Sequence, residues 1–272
     1  MMTMESEIFN ALRDIIHEQS GISLSDEKEA LVSARVSKRM RALNIATFNE
    51  YLDLLTADES GLEMTALLDV ISTNVTSFFR ESDHFDFLHD VIQSWRAAGQ
   101  QRFRVWSAAC STGEEPYSIA MTLHNALGGN SRSLGDVKIL ATDISTRVLG
   151  FAKAGLYPAN RVEPVPPEYA KRYLARDRSR TEEIYQVCDE LRSLVSFNRI
   201  NLNSPRFPMS GPMDIVFCRN VMIYFDNNTR TSLLAEIHRL LKPGGYLLVG
   251  HSESLTGLTT GFTSVSPSIY VK

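Results

Sequence analysis

The chain has 272 residues, 43% of them hydrophobic, which suits one large domain or two small ones with a packed core and excludes a disordered chain. Its 28 Lys and Arg against 32 Asp and Glu leave a net charge of -4, which weighs against a nucleic-acid binder. Three cysteines without metal-type spacing (Cys110, Cys188, Cys218) argue against a disulfide framework and for a reducing compartment. The N-terminus is polar and acidic, so no signal peptide is expected, and no apolar run reaches the ~20 residues of a membrane span. A soluble, cytoplasmic protein is expected.

Residues 1–80 read as helical. Ile8, Leu12, Ile15 and Ile16 form one apolar stripe, and Val32, Val36, Met40 and Leu43 form a second behind a cap at Ser25 or Asp26. Phe48, Tyr51, Leu52 and Leu55, then Leu62, Leu67, Leu68 and Ile71, mark two more helices. From about residue 85 strands alternate with helices. Strands are expected at 103–109, 137–142, 213–218 and 246–250, and helices at 117–127, 144–154 and 229–241. The run Gly128-Gly129-Asn130-Ser131 ends the first of these helices. Residues 262–271 read as a hairpin at the sheet end. This alternation predicts an α/β, mostly parallel, doubly wound sheet. Residues of about 157–200 break it: Pro158, Pro164, Pro166 and Pro167 mark an irregular link, 169–174 a short helix, and 184–197 two or three short strands. They predict a small inserted β-subdomain.

In such sheets ligands bind outside the C-terminal ends of the strands, so residues there carry the chemistry. The stretch Val105-Trp106-Ser107-Ala108-Ala109-Cys110-Ser111-Thr112-Gly113-Glu114-Glu115-Pro116 is a strand, a glycine turn and a helix start. It lacks the three glycines that let a backbone approach a pyrophosphate, and it places Glu114 and Glu115 where phosphates would sit. That disfavours a dinucleotide and suits a cationic ligand such as S-adenosylmethionine. Asp143, at the end of the second strand, can accept both ribose hydroxyls or cap the next helix. Asn201, with Leu202 and Asn203, can read a base edge or shape a turn. Arg219 and Asn220 end a buried apolar strand and must meet polar partners there. Asn74, Thr76 and Arg80 lie at the domain junction, where clefts form. Arg35, Lys38, Arg39 and Arg41 make an acid-free face on the second helix that can steer an acidic partner. The histidines show no metal spacing; they read as structural, with His251 at a strand end a candidate for the cleft.

These residues resemble the chemotaxis receptor methyltransferases, the CheR family of protein-glutamate O-methyltransferases. Four motifs in order carry the likeness over almost the whole chain. They are the junction Thr73-Asn74-Val75-Thr76-Ser77-Phe78-Phe79-Arg80-Glu81; the glycine turn of 105–118; Cys218-Arg219-Asn220-Val221-Met222-Ile223-Tyr224-Phe225; and Lys242-Pro243-Gly244-Gly245 with Gly250-His251-Ser252-Glu253. The resemblance implies a Rossmann-like methyltransferase sheet over 81–272, an N-terminal all-helical receptor-docking domain over 1–80, and an antiparallel β-subdomain inserted at about 157–200. It implies S-adenosylmethionine held by Asn74, Thr76, Arg80, Glu115, Asp143, Asn201, Leu202, Arg219 and Asn220. The partner it implies is the cytoplasmic helical bundle of chemoreceptors. In some members the β-subdomain also grips a peptide at the receptor's C-terminus; the charged, glycine-free turn Arg176–Arg180 argues against it here. Neither nucleic acid, membrane insertion nor a metal is expected, and a monomer is.

The reaction expected is transfer of a methyl group to receptor glutamates, giving methyl esters and S-adenosylhomocysteine. A carboxylate is ionised at neutral pH, so no nucleophile–base dyad is needed and none is found. Arg80 and Tyr224 are the candidates for orienting it. The alternatives are a methyltransferase for a small carboxylic acid and a non-catalytic cofactor-binding module. An NAD-dependent oxidoreductase lacks its glycines, and a nucleic-acid methyltransferase conflicts with the acidity.

Overall fold

Apolar residues at three- and four-residue spacing make the N-terminal segment helical. In the computed structural model, which describes residues 4–129, 134–258 and 260–272, it forms α1 (Ser6–Ser20), α2 (Glu29–Leu43), α3 (Phe48–Ala57) and α4 (Leu62–Ile71). The first helix stops at Gly21, whose left-handed backbone (φ 74°) suits glycine. A short 3-10 turn, Asp26–Lys28, precedes α2, and Ser25 makes no side-chain cap there. A capping box starts α3: the Thr47 hydroxyl accepts from the Glu50 N–H, and the Glu50 carboxylate accepts from the Thr47 N–H. The four apolar stripes share one core, with Leu12, Ile16, Val36, Tyr51 and Leu67 wholly buried.

After α5 (Asp83–Ala97) come β1 (Arg102–Ser107), α6 (Glu114–Ala126), β2 (Asp136–Asp143) and α7 (Thr146–Ala154). The insertion holds β3 (Leu156–Pro158), α8 (Ala159–Val162), α9 (Pro167–Tyr173), β4 (Leu174–Arg176), β5 (Ile184–Val187) and α10 (Asp189–Arg192). The chain returns as β6 (Val195–Arg199), β7 (Met213–Cys218), α11 (Asn227–Leu240), β8 (Leu241–Val249) and a final hairpin, β9 (Thr263–Ser266) and β10 (Ile269–Val271). The main sheet is ordered β6-β2-β1-β7-β8-β10-β9. Its first five strands are parallel, and the last two add antiparallel at the edge. Side chains alternate between two cores. Val105, Ile215, Phe217 and Leu248 face α5 and α6, while Trp106, Val216, Cys218 and Leu247 face α11. Burial of both faces lets a parallel sheet be built from nearly continuous apolar runs. Five parallel strands also bring five C-terminal ends to one edge.

The doubly wound sheet, the helical domain and the small antiparallel sheet (β3-β5-β4) are all present. Several details differ from expectation. Of the strands expected inside the insertion, only β5 stays there; β6 pairs in parallel with β2, from Ile139↔Val195 to Asp143↔Arg199. A strand pattern does not say which sheet receives it. The strand expected over 103–109 ends at Ser107, and the helix expected from 117 begins at Glu114, because Gly113 (φ 97°) turns the chain early. Gly128 and Gly129 both adopt positive φ after that helix, while Asn130 and Ser131 lie outside the described residues. No described helix is long and apolar enough to cross a membrane.

Candidate cofactor and catalytic site

A cleft of about 1170 Å³, counting its open mouth, lies across the C-terminal ends of β6, β2, β1 and β7. Strand-end polar residues form one side. Helical-domain residues, among them Ser20, Ile22, Lys28, Leu31 and Arg35, form the other, and the junction 72–77 closes the space between. Asn74, Thr76, Arg80, Glu115, Asp143, Asn201, Leu202, Arg219 and Asn220 all line this one cleft, together with Tyr224. Residues separated by up to 150 positions in the chain thus meet where the parallel topology directs them.

The floor is acidic. Asp143 accepts the Ser111 N–H (2.9 Å) and the Ser145 N–H (2.9 Å), one on each oxygen. Burial raises its pKa, against those backbone bonds. The helix cap expected as the alternative role of Asp143 is made by Ser145, whose hydroxyl accepts from the Val148 N–H. Each Asp143 oxygen therefore keeps acceptor capacity toward the cleft. Beside it, Glu115 accepts from the Ser107 hydroxyl (2.7 Å) and from Arg219 Nη1 (3.1 Å). Arg219, its side chain only 2% exposed, also holds Glu81 through Nη2 (2.8 Å) and Nε (3.2 Å). Burial pushes the Glu81 carboxyl up, but the hydrogen bonds and charge of Arg219 outweigh it and hold the pKa down to about 2. At Glu115 burial prevails over Arg219, and the pKa is raised. One guanidinium between two carboxylates leaves the trio one negative charge in excess. An ammonium or sulfonium beside Glu115 balances it.

The loop after β7 is fixed from below by Glu253. This buried carboxylate accepts the N–H groups of Gly250 (2.6 Å), Asn220 (2.7 Å) and Ile223 (3.3 Å). Asn220 sits at φ 57° and donates its amide to Glu81 (3.3 Å). A side chain on Gly250 would strike the Asn220 amide, so the approach requires glycine. The loop then carries Tyr224 into the cleft, where Lys28 Nζ stands 5.2 Å from its ring centre. Across the opening, Arg80 donates to the Val75 carbonyl (3.1 Å). Neither Lys28 nor Arg80 makes an ion pair among the described residues. The cleft is thus acidic at its floor and basic at its mouth.

Several expectations are revised. The Asn201 side chain lines the cleft, but its amide donates to the Gln19 carbonyl (2.6 Å) and its oxygen accepts the Asn203 N–H (3.0 Å), so it anchors the helical domain. The four basic residues of α2 separate. Arg35 reaches the cleft and donates to the carbonyls of Ile71 and Ser72. Arg39 is bidentate on buried Glu63 (3.0 and 2.6 Å), which also accepts from Tyr51 (2.8 Å). Lys38 and Arg41 are exposed. His251 does not line the cleft; its ring packs on His84 and pairs with Asp83 (3.1 Å). Glu81, His84 and His251 bring potential metal ligands within 4.8 Å of one another. Both Glu81 oxygens, however, are engaged by Arg219, Asn220 and the His251 N–H. Sequence reasoning assigned no role to Glu81, Glu253 or Lys28. The first two stand inside motifs already singled out, and an acid in a glycine-rich or aromatic motif was the available signal. Nothing local marks Lys28.

Residues 7–72 match the family model described as "CheR methyltransferase, all-alpha domain", and residues 74–271 match "CheR methyltransferase, SAM binding domain". The chain is 40% identical to the "Chemotaxis protein methyltransferase" of Salmonella typhimurium over 262 residues, covering 96% of this chain and 88% of that one. Identity to the protein of the same name in Escherichia coli is 40%, covering 96% and 89%. For "Chemotaxis protein methyltransferase 2" of Pseudomonas aeruginosa it is 41%, covering 97% and 92%. With the helical domain and the cofactor-binding domain both matched, and relatives about 40% identical over nearly the whole chain, the chain belongs to the CheR family of S-adenosylmethionine-dependent methyltransferases.

Proposed function

We propose that this methyltransferase esterifies glutamate side chains on the cytoplasmic helical bundle of chemoreceptors. The order of charge across the cleft, acids on the floor and unpaired cations at the mouth, supports the reading. The floor fits the cofactor: Glu115 has the charge for its amino group, Asp143 the free acceptors for its ribose, and Leu202 an apolar surface for its base. Asn74, Thr76, Arg219 and Asn220 complete the wall, and Arg80 stands where an amino-acid carboxylate or the substrate would meet a cation. Bound there, S-adenosylmethionine supplies a methyl carbon activated by its sulfonium, and transfer leaves S-adenosylhomocysteine.

The chain's own task is placement. A glutamate has an ordinary pKa of about 4.3 and arrives as the nucleophile, so no side chain has to remove a proton. Lys28 and Arg80 attract the carboxylate electrostatically, and Tyr224 limits its approach. Holding reactants in a productive pose is worth orders of magnitude in rate without further chemistry. Few charged contacts at the attacking oxygen are expected, because tight pairing would blunt it. Ester formation removes one negative charge from the receptor. Exposed Lys38 and Arg41, with Arg35 at the cleft, face an acidic helix; Arg39 serves the fold.

The test is labelling. The full chain, tritiated S-adenosylmethionine and a receptor cytoplasmic fragment should give base-labile methyl groups on protein. Base-stable label, or label appearing on small acids and not on the receptor, would overturn the reading.

A further inference from the structure

The inserted subdomain braces the glycine turn 111–115, the expected cofactor loop, with Arg161 and Tyr157. Arg161, on α8, donates from Nη1 to Glu114 Oε1 (2.7 Å) and to the Thr112 hydroxyl (2.9 Å). Tyr157, on β3, donates its hydroxyl to the Thr112 carbonyl (2.7 Å) and packs edge-on against Phe78 of the domain junction. The Tyr157 hydroxyl and Ala152 crowd Gly113 so closely that any side chain there would strike them within 3 Å. Glu114 has a side chain 1% exposed, and Arg161 is its only cationic partner among the described residues. The Thr112 hydroxyl donates to its other oxygen (2.7 Å). Glu114 does not line the cleft; Ser111 and Glu115, on either side of this braced turn, do.

A buried carboxylate that loses its cation either takes up a proton or moves toward water. Movement of Glu114 would drag Glu115 away from Arg219 and Ser111 away from Asp143. We propose that Arg161 is a positioning residue for the cofactor loop, so that the β-subdomain governs cofactor affinity through the buried charge of Glu114. This rests on the reading of the cleft as the cofactor's pocket.

The experiment is calorimetric titration of S-adenosylhomocysteine into the full-length chain and four variants. Arg161→Ala should raise the dissociation constant roughly tenfold. Glu114→Gln alone should bind nearly as the parent does. Adding Glu114→Gln to Arg161→Ala should recover most of the loss, because no unpaired charge then remains. A purely structural anchor would lower the melting temperature of Arg161→Ala with no recovery of affinity in the double variant. Parent-like binding by Arg161→Ala, or a double variant no better than the single one, would overturn the proposal. Asp143→Ala, measured alongside, should also weaken binding; if it does not, the pocket reading itself fails, whatever Arg161 does.

Discussion

Replacing Arg219 with alanine would remove the one guanidinium between Glu81 and Glu115, whose side chains are 12% and 11% exposed. The lowering of the Glu81 pKa from 4.5 to about 2 corresponds to ~3 kcal/mol of folded-state stabilisation of the carboxylate, taking ~1.4 kcal/mol per factor of ten. That agrees with the ~3–5 kcal/mol lost when one partner of a buried pair is truncated. The pH dependence separates charge from packing. In the parent, the folded pKa of Glu81 lies below the unfolded one. Its contribution is present above pH ~4.5 and is lost as pH falls toward 2. At pH 7.5 and pH 5 it is therefore nearly complete. Without Arg219, burial raises the Glu81 pKa above its unfolded value. The folded variant then takes up protons on acidification and regains stability. Urea unfolding should show a deficit of ~3 kcal/mol at pH 7.5 that narrows clearly at pH 5. A deficit below ~1 kcal/mol, or one equal at the two pH values, would refute the charge argument.

Reversal of Lys38 and Arg41 to glutamate should raise the receptor KM about tenfold at low salt, less at high salt, with cofactor affinity unchanged. An unchanged KM would remove this face from docking. Arg39→Ala should act instead on the fold, costing ~2 kcal/mol in denaturation because Glu63 loses a bidentate partner. Glu253→Ala leaves the Gly250, Asn220 and Ile223 N–H groups without their acceptor. Steady-state assays should give a kcat lowered at least tenfold, roughly, with Glu253→Gln intermediate because one amide oxygen still accepts.

The floor of the cleft was legible because topology alone decides it. Once Asp143 ends β2 and Glu115 opens the helix that follows β1, the two must share one edge of the sheet, whatever the rest of the chain does. The same logic placed Arg219 and Asn220. What the sequence withheld depends on partners far along the chain. Arg219 meets Glu81 across 138 positions, and Asn201 gives its amide to Gln19 across 182. Neither contact has a local signature. Arg39 looked like part of a solvated basic face because its partner, Glu63, lies 24 residues on and belongs to another helix. The β6 segment carried a strand's pattern, yet its pairing with β2 depends on the insertion returning the chain to the edge of the main sheet. The family likeness supplied, as a set, residues that line the cleft. It did not reveal that Glu81 and Glu253 hold that set in place, since both act on neighbours and only through them on the cleft.

The most direct test of the cofactor site is a crystal of the full chain soaked with S-adenosylhomocysteine. Density for the ligand should lie across the ends of β1 and β2, with ribose oxygens on Asp143, the amino group on Glu115 and the thioether turned toward Arg80 and Tyr224. Ligand seated away from the strand ends, or with its ribose clear of Asp143, would contradict the placement on which the catalytic reading depends.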